Sequence, residues 1–301
     1  MERRTRPPVD WSECPLRALL FAPGNHPRKL EKVGSFGADV IVLDLEDAVA
    51  EAEKDAARAP VRAALPTYAG RTVVFVRVNS AGSGRLEDDA RAIVCSDLDG
   101  LMVPKVEAPD TLPEVDRLLN GLEREHGLPR GHVRLLPIIE TALGLVRCEE
   151  IALAAPERVV TLIFGLGDLS ADLGIDLTAD ATELLYGRSR VVVAARAARF
   201  RHALDGPYLV LDDVEGLRSD TLRSRQLGFQ GRVVVYPPQV EPVQRAYAEV
   251  APEELEWARR VVEAFEQAES AGSASIRVDG RFVDYPIYER AKLKLRLATL
   301  V

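Results

Sequence analysis

Cysteine is scarce in this chain. Cys14, Cys95 and Cys148 are its three cysteines, far apart and without a CxxC pair. That spacing excludes a disulfide framework and a thiolate zinc site, and it fits reduced thiols in a cytoplasmic protein. Histidine is almost as sparse. His26, His126, His132 and His202 stand in no metal-spaced motif, so none is assigned a catalytic role. Positive charge is in deficit, with 39 Lys+Arg against 47 Asp+Glu and a net charge of -8. With no polybasic patch, nucleic acid is excluded as a partner. No apolar run is long enough to span a bilayer. The opening "MERRTRPPVDWSECP" is charged and Pro-rich, unlike a signal peptide, and residues 1–15 are expected to form a frayed tail. No GxGxxG follows the first apolar run, and "SAGSGR" (80–85) lacks the Lys-Ser/Thr that would complete a phosphate loop.

What the chain has is alternation. Of its 301 residues, 47 % are apolar, enough for a large core. Strand-like runs fall at 16–22, 39–45, 72–78, 100–104, 133–139, 158–164, 207–211 and 232–236. Helical stretches, such as 50–65, 110–125, 141–154, 182–204 and 214–227, lie between them. The runs are β-branched and apolar on both faces, as parallel strands covered by helices must be. Eight such strands predict an α/β fold, a closed (β/α)8 barrel over residues 16–250, with an open doubly wound sheet as the alternative. Residues 251–301 read as a helix from Pro252, a break at "AGSAS", a hairpin turning at Asp279-Gly280 and a last helix near Pro286. This extension is expected to be a lid over an active-site mouth, its own or a neighbour's.

Barrel enzymes carry their chemistry where the strands end. Those positions here hold Asp44, Glu46, Asp47, Arg77, Asn79, Lys105, Glu140, Asp168, Tyr236 and Gln239. Glu140 and Asp168 leave adjacent strands and can face one spot. Paired carboxylates repel unless a proton or cation joins them. Without His or Cys nearby, their oxygens suit Mg2+, or Mn2+ in its place. Taken singly, either acid could equally be a helix cap. Arg77 shares a strand face with Phe75 and Asn79 and needs an anionic partner. That partner is either an acid of "DLEDAV" or a substrate oxyanion.

The motifs "LRALLFAPGN", "GADVIVLDLEDAVAEAEKDAAR", "VFVRVN", "MVPKVE", "PIIETALGL", "FGLGDLSADLG", "GFQGRVVVYPPQV" and "DGRFVDYP" appear in order from residue 16 to about 295. In this the chain resembles the HpcH/HpaI aldolase and citrate lyase β-subunit superfamily, in its CitE-like branch of malyl-CoA and citramalyl-CoA lyases. The resemblance implies a TIM barrel and a Mg2+-dependent carbon–carbon lyase that reversibly cleaves a 3-hydroxyacyl-CoA. The partners it implies are an acyl-CoA and a 2-oxo acid. It implies that Glu140 and Asp168 bind the metal, that Arg77 clamps substrate, and that Asp284 acts at a neighbouring subunit's site. A homo-oligomer, a trimer or hexamer, follows from that. Arg17 and Lys105 resemble positions lining the CoA side. Tyr236 stands where the family often has His, and Gly167 where it often has Glu, which leaves the substrate open. The alternatives are thioester hydrolysis at the same site, and a citrate lyase-type subunit acting on acyl-carrier-bound substrate.

Overall fold

A computed structural model describes residues 9–298. The chain divides into two compact units, Met1–Val243 and Gln244–Val301. In the first, eight strands run in parallel: β1 (Ala18–Pro23), β2 (Val40–Asp44), β3 (Val73–Arg77), β4 (Gly100–Val103), β5 (Arg134–Ile139), β6 (Ile163–Phe164), β7 (Leu204–Asp205) and β8 (Gly231–Val234). Each pairs with its successor, and β8 returns to β1 with Leu19 opposite Val233, closing the expected barrel. The interior is filled by Leu19, Val40, Val42, Phe75, Met102, Leu136, Ile138, Ile163, Leu204 and Val233. Residues two apart on a strand share a face, so those following the core residues inward reach the mouth: Asp44 after Val42, Arg77 after Phe75, Glu140 after Ile138.

Helices connect the strands: α1 (Pro27–Lys32), α2 (Lys54–Tyr68), α3 (Leu86–Ile93), α4 (Thr111–Glu125), α5 (Ala142–Val146), α6 (Cys148–Ala154), α7 (Leu166–Leu173), α8 (Leu185–Ala197) and α9 (Val214–Leu227). The α4 helix shows why they form. Leu112, Val115, Leu119 and Leu122 recur at spacings of three and four and are all buried.

Two strands differ from expectation. Strand β6 is only Ile163–Phe164 of the expected 158–164, and β7 is Leu204–Asp205 rather than 207–211. The apolar run "PYLVL" lies past the strand, with Leu209, Val210 and Leu211 exposed. The true strand was hidden by Asp205, which reads as polar but is fully buried. Arg188 of α8 lies 3.0 Å from it, and Asp220 of α9 binds both Arg188 and Arg232 of β8. Two arginines and two aspartates thus neutralise one another between barrel and helices, which lets charge occupy a core position.

The tail also differs over its described part. Trp11 stands edge-on to Phe75 at 5.7 Å, and Val9 and Cys14 pack on the same core. The Arg201 guanidinium donates to the carbonyls of Trp11 (2.6 Å) and Cys14 (2.7 Å). Residues 9–15 are therefore held against the barrel interior, and residues 1–8 lie outside the described chain.

The helix α10 (Val240–Ala248) leads into the second unit, made of α11 (Pro252–Ser270), β9 (Ser275–Val278), β10 (Arg281–Asp284) and α12 (Tyr285–Leu297). Its core is Ala258, Val261, Phe265, Val278, Val283, Tyr288 and Ala291. Phe265 stacks on Tyr288 at 4.7 Å. The hairpin turns at Asp279 and Gly280 with φ of +48° and +79°. Two successive positive values match the primed turn that Asp-Gly favours.

Candidate active site

Arg77 closes the inward face of β3. Its Nε donates to Asp44 Oδ1 at 2.7 Å and its Nη2 to Asp44 Oδ2, while Nη1 lies 3.1 Å from Glu46 Oε2. Its guanidinium also covers the Phe21 ring at 5.0 Å. Asp44 is fully buried and accepts further bonds from the N–H groups of Glu46 and Ala48. Removal from water disfavours the guanidinium charge, but Asp44, Glu46 and Glu140 outweigh that and raise its pKa further. The ion pair with "DLEDAV" acids is therefore made, and Arg77 also lines an open cavity.

Glu140 follows β5 and is 3 % exposed. Its Oε1 accepts from the Lys105 backbone N–H at 2.9 Å. Burial first, then the nearby charges of Asp168 and Glu46, pushes its pKa up to about 8, against the smaller opposing pull of Arg77 and that N–H. The carboxylate fits because residue 165 is glycine. A Cβ there would lie 2.4 Å from Glu140 Cβ and 2.6 Å from its Oε2. Asp168 stands in the first turn of α7, its side chain 38 % exposed. Neither acid makes a side-chain cap of its helix: the cap of α5 is Thr141, and α7 has none.

Lys105 ties these groups together. Its Nζ donates to Glu46 Oε1 and to Asp47 Oδ2 (2.9 Å), and lies 3.8 Å from Asp168 Oδ2. Desolvation opposes its charge, but the bonds to Glu46 and Asp47 raise its pKa. Burial raises the Glu46 carboxyl despite Arg77 and Lys105. At Asp47, burial pulls the same way, but Lys105, Arg77 and Lys54 outweigh it and lower its pKa. Five carboxyl groups (Asp44, Glu46, Asp47, Glu140 and Asp168) thus gather around Arg77 and Lys105, an oxygen-rich donor set that suits a hard cation.

Arg17 is not at this end. It precedes β1 and forms a forked pair with Asp39, Nε at 3.0 Å and Nη2 at 2.8 Å, at the strands' N-terminal edge. A strand of six residues separates it from the mouth by roughly 20 Å. The basic residues near the mouth are instead Arg28, Lys29 and Lys32. With Phe21, Arg77 and Tyr236 they line a cavity of about 600 Å³. Sequence reasoning passed over them, although "HPRKLEK" directly after β1 was the available signal. Gln239 donates weakly to the carbonyls of Tyr208 and Val210 in the loop after β7, and Asn79 donates to Asp89 of α3, so both make structural contacts. Asp284 caps α12 by accepting from Ile287 N at 3.3 Å.

The HpcH/HpaI aldolase/citrate lyase profile matches residues 17–237. The citrate lyase subunit beta of Leuconostoc mesenteroides is 38 % identical, covering 94 % of this chain and 93 % of its own. The mouse mitochondrial citramalyl-CoA lyase is 32 % identical over 95 % and 87 %. The (3S)-malyl-CoA thioesterase of Cereibacter sphaeroides is 35 % identical over 90 % of both. Among solved structures, CitE of Mycobacterium tuberculosis with magnesium, acetoacetate and coenzyme A aligns with a TM-score of 0.76. It is 31 % identical and covers 95 % of this chain and 98 % of that one. The barrel, its strand-end residues and these matches together place the chain in the HpcH/HpaI aldolase/citrate lyase family.

Proposed function

We propose that the protein is a Mg2+-dependent carbon–carbon lyase that reversibly cleaves a 3-hydroxyacyl-CoA, such as malyl-CoA or citramalyl-CoA, into a 2-oxo acid and an acyl-CoA. The observation that carries this is Glu140, a carboxyl buried beside two other carboxylates with too few cations to balance it. Glu140 and Asp168 would hold Mg2+, or Mn2+ by the same oxygen chemistry. Among the described residues no three His, Cys, Asp or Glu side chains gather into a metal cage. Two protein ligands leave the remaining positions for water and a 2-oxo acid, which is how Mg2+ sites are usually filled. Such a cation supplies Lewis-acid stabilisation of negative charge on substrate oxygens.

The chain's own groups supply the rest. Arg77 faces the cavity as a hydrogen-bond donor pre-set by Asp44, suited to a substrate carboxylate or oxyanion. Arg28, Lys29 and Lys32 suit the phosphates of CoA, in place of Arg17. Transfer of the substrate hydroxyl proton to solvent would let the carbon–carbon bond break, its electron pair passing to an acyl-CoA enolate. Asp284 of a neighbouring subunit, carrying a proton taken from solvent, would protonate the enolate carbon. That role makes residues 251–301 a lid over a neighbour's mouth in a homotrimer or hexamer.

The relative that is a malyl-CoA thioesterase favours a second reading, hydrolysis at the same site. Incubating the purified chain with malyl-CoA or citramalyl-CoA and Mg2+ separates the two. A 2-oxo acid with acetyl-CoA or another acyl-CoA supports the lyase, and free CoA without a 2-oxo acid supports the hydrolase. Turnover of acyl-carrier-bound substrate alone points to a citrate lyase-type subunit.

A further inference from the structure

Lys105 has a backbone that residues with a Cβ rarely adopt. Its φ is +52° at the exit of β4. That conformation accompanies two contacts at once. The N–H meets Glu140 Oε1 at 2.9 Å, and the side chain carries Nζ among Glu46, Asp47 and Asp168. One residue thereby touches four carboxylates that leave three different strands. Its side chain is 30 % exposed, so packing does not force the ammonium inward. Lysine at such a position can reach water.

The charges are unevenly shared. Asp44 is matched by Arg77, and Glu46 is flanked by Arg77 and Lys105. Among the described residues, Asp168 has only the longer contact to Lys105, at 3.8 Å. It is also one of the two acids assigned to the metal.

We propose that the Lys105 ammonium is a resident counter-ion that competes with a divalent cation for Asp168. It holds the carboxylates together before metal binds, and it limits how tightly the metal binds. This rests on the metal reading of Glu140 and Asp168. When a cation takes Asp168, the ammonium keeps Glu46 and Asp47, both of which it already approaches more closely.

Calorimetric titration of the full chain with Mg2+ tests this, using wild type, Lys105→Met and Lys105→Arg, with Glu140→Gln as control. Removing a positive charge beside a cation site is expected to tighten Mg2+ binding about tenfold in Lys105→Met. Lys105→Arg keeps the charge and is expected to stay near wild type. In chelator, Lys105→Met is expected to melt lower than wild type and to gain more from added Mg2+. A lysine that merely propped the loop would, when truncated, weaken metal binding. Unchanged or weaker affinity in folded Lys105→Met, or Lys105→Arg matching it, overturns the counter-ion role and leaves the metal site standing. If Lys105→Met does not fold, Lys105→Gln is titrated under the same criteria. Wild type that binds no Mg2+, or binding untouched by Glu140→Gln, overturns the metal reading itself.

Discussion

A carboxyl that burial pushes up to about 8 keeps its proton in neutral solution unless a cation replaces it. The ordinary value is 4.5, so between roughly pH 5 and 8 the metal-free folded state holds a proton that the unfolded state has released. Stability contributed by protonated Glu140 is present below its unfolded pKa and is lost as pH rises toward 8. The slope is at most about 1.4 kcal/mol per pH unit for one proton. Thermal melts in chelator are expected to show wild type losing stability across this window relative to Glu140→Gln, and added Mg2+ restoring it. Parallel pH profiles for the two proteins would mean that Glu140 is already ionised. Arg77 presents a different balance. Arg77→Lys keeps the charge beside buried Asp44 but not the forked contact. The fold should persist, and kcat/KM should fall by about 3 kcal/mol in transition-state stabilisation. Near-normal kcat/KM would leave Arg77 as a structural partner of Asp44. Both residues were legible as candidates from alternation along β3 and from the acid after β5. Which acid Arg77 would grasp was not, because Asp44 lies 33 positions away in sequence.

At the scale of elements, the start of α7 holds two glycines with opposite surroundings, Gly165 at its N-cap and Gly167 in its first turn. A Cβ at Gly165 meets Glu140, whereas at Gly167 nothing lies within 4 Å. Gly165→Ala is expected to displace Glu140, with overpacking of about 1–3 kcal/mol and a larger loss of Mg2+ affinity. Gly167→Ala should match wild type in both melting and titration. Equal Mg2+ affinity in the two variants would remove the packing constraint on Glu140. The helix α1 carries the second element-scale prediction. Lys29→Ala with Lys32→Ala should raise KM for a CoA thioester by about tenfold, as expected for two phosphate contacts, and leave kcat near wild type. A KM that does not move, or does not depend on salt, would exclude α1 from binding the CoA phosphates. The strand β7 shows why elements were harder to bound than to count. Its residues Leu204–Asp205 include a buried aspartate whose partners come from α8 and α9. A local reading assigns the neighbouring exposed apolar run instead.

For the whole molecule, assembly is the question. Asp284 caps α12, and asparagine caps nearly as well, so Asp284→Asn should keep the fold. It is expected to bind Mg2+ and the 2-oxo acid and to fail at proton transfer to carbon. Mixing it with inactive Glu140→Gln subunits should restore part of the lyase activity, because a mixed oligomer contains sites with a native Glu140 and a neighbour's native Asp284. Light scattering gives the mass, and subunit exchange is verified with labelled chains. A monomer at working concentration, or no rescue after verified exchange, would remove the role across subunits.

The sequence by itself determined an α/β fold, since eight apolar runs separated by amphipathic helices admit few packings besides a closed barrel and an open doubly wound sheet. The pairing of β8 with β1 decided for the barrel. It also determined the strand-end acids, because barrel topology brings those ends together whatever the loops do. Tertiary structure alone decided what each charge faces. Arg17 reads like Arg77 in composition, yet one lies where a strand begins and the other where a strand ends. Lys105 reads as a basic residue on a loop, yet a single left-handed backbone turn sets it among four acids from distant segments. The reason is physical: hydrophobic periodicity is a local property of the chain, whereas electrostatic partnership depends on distances that only the closed barrel sets.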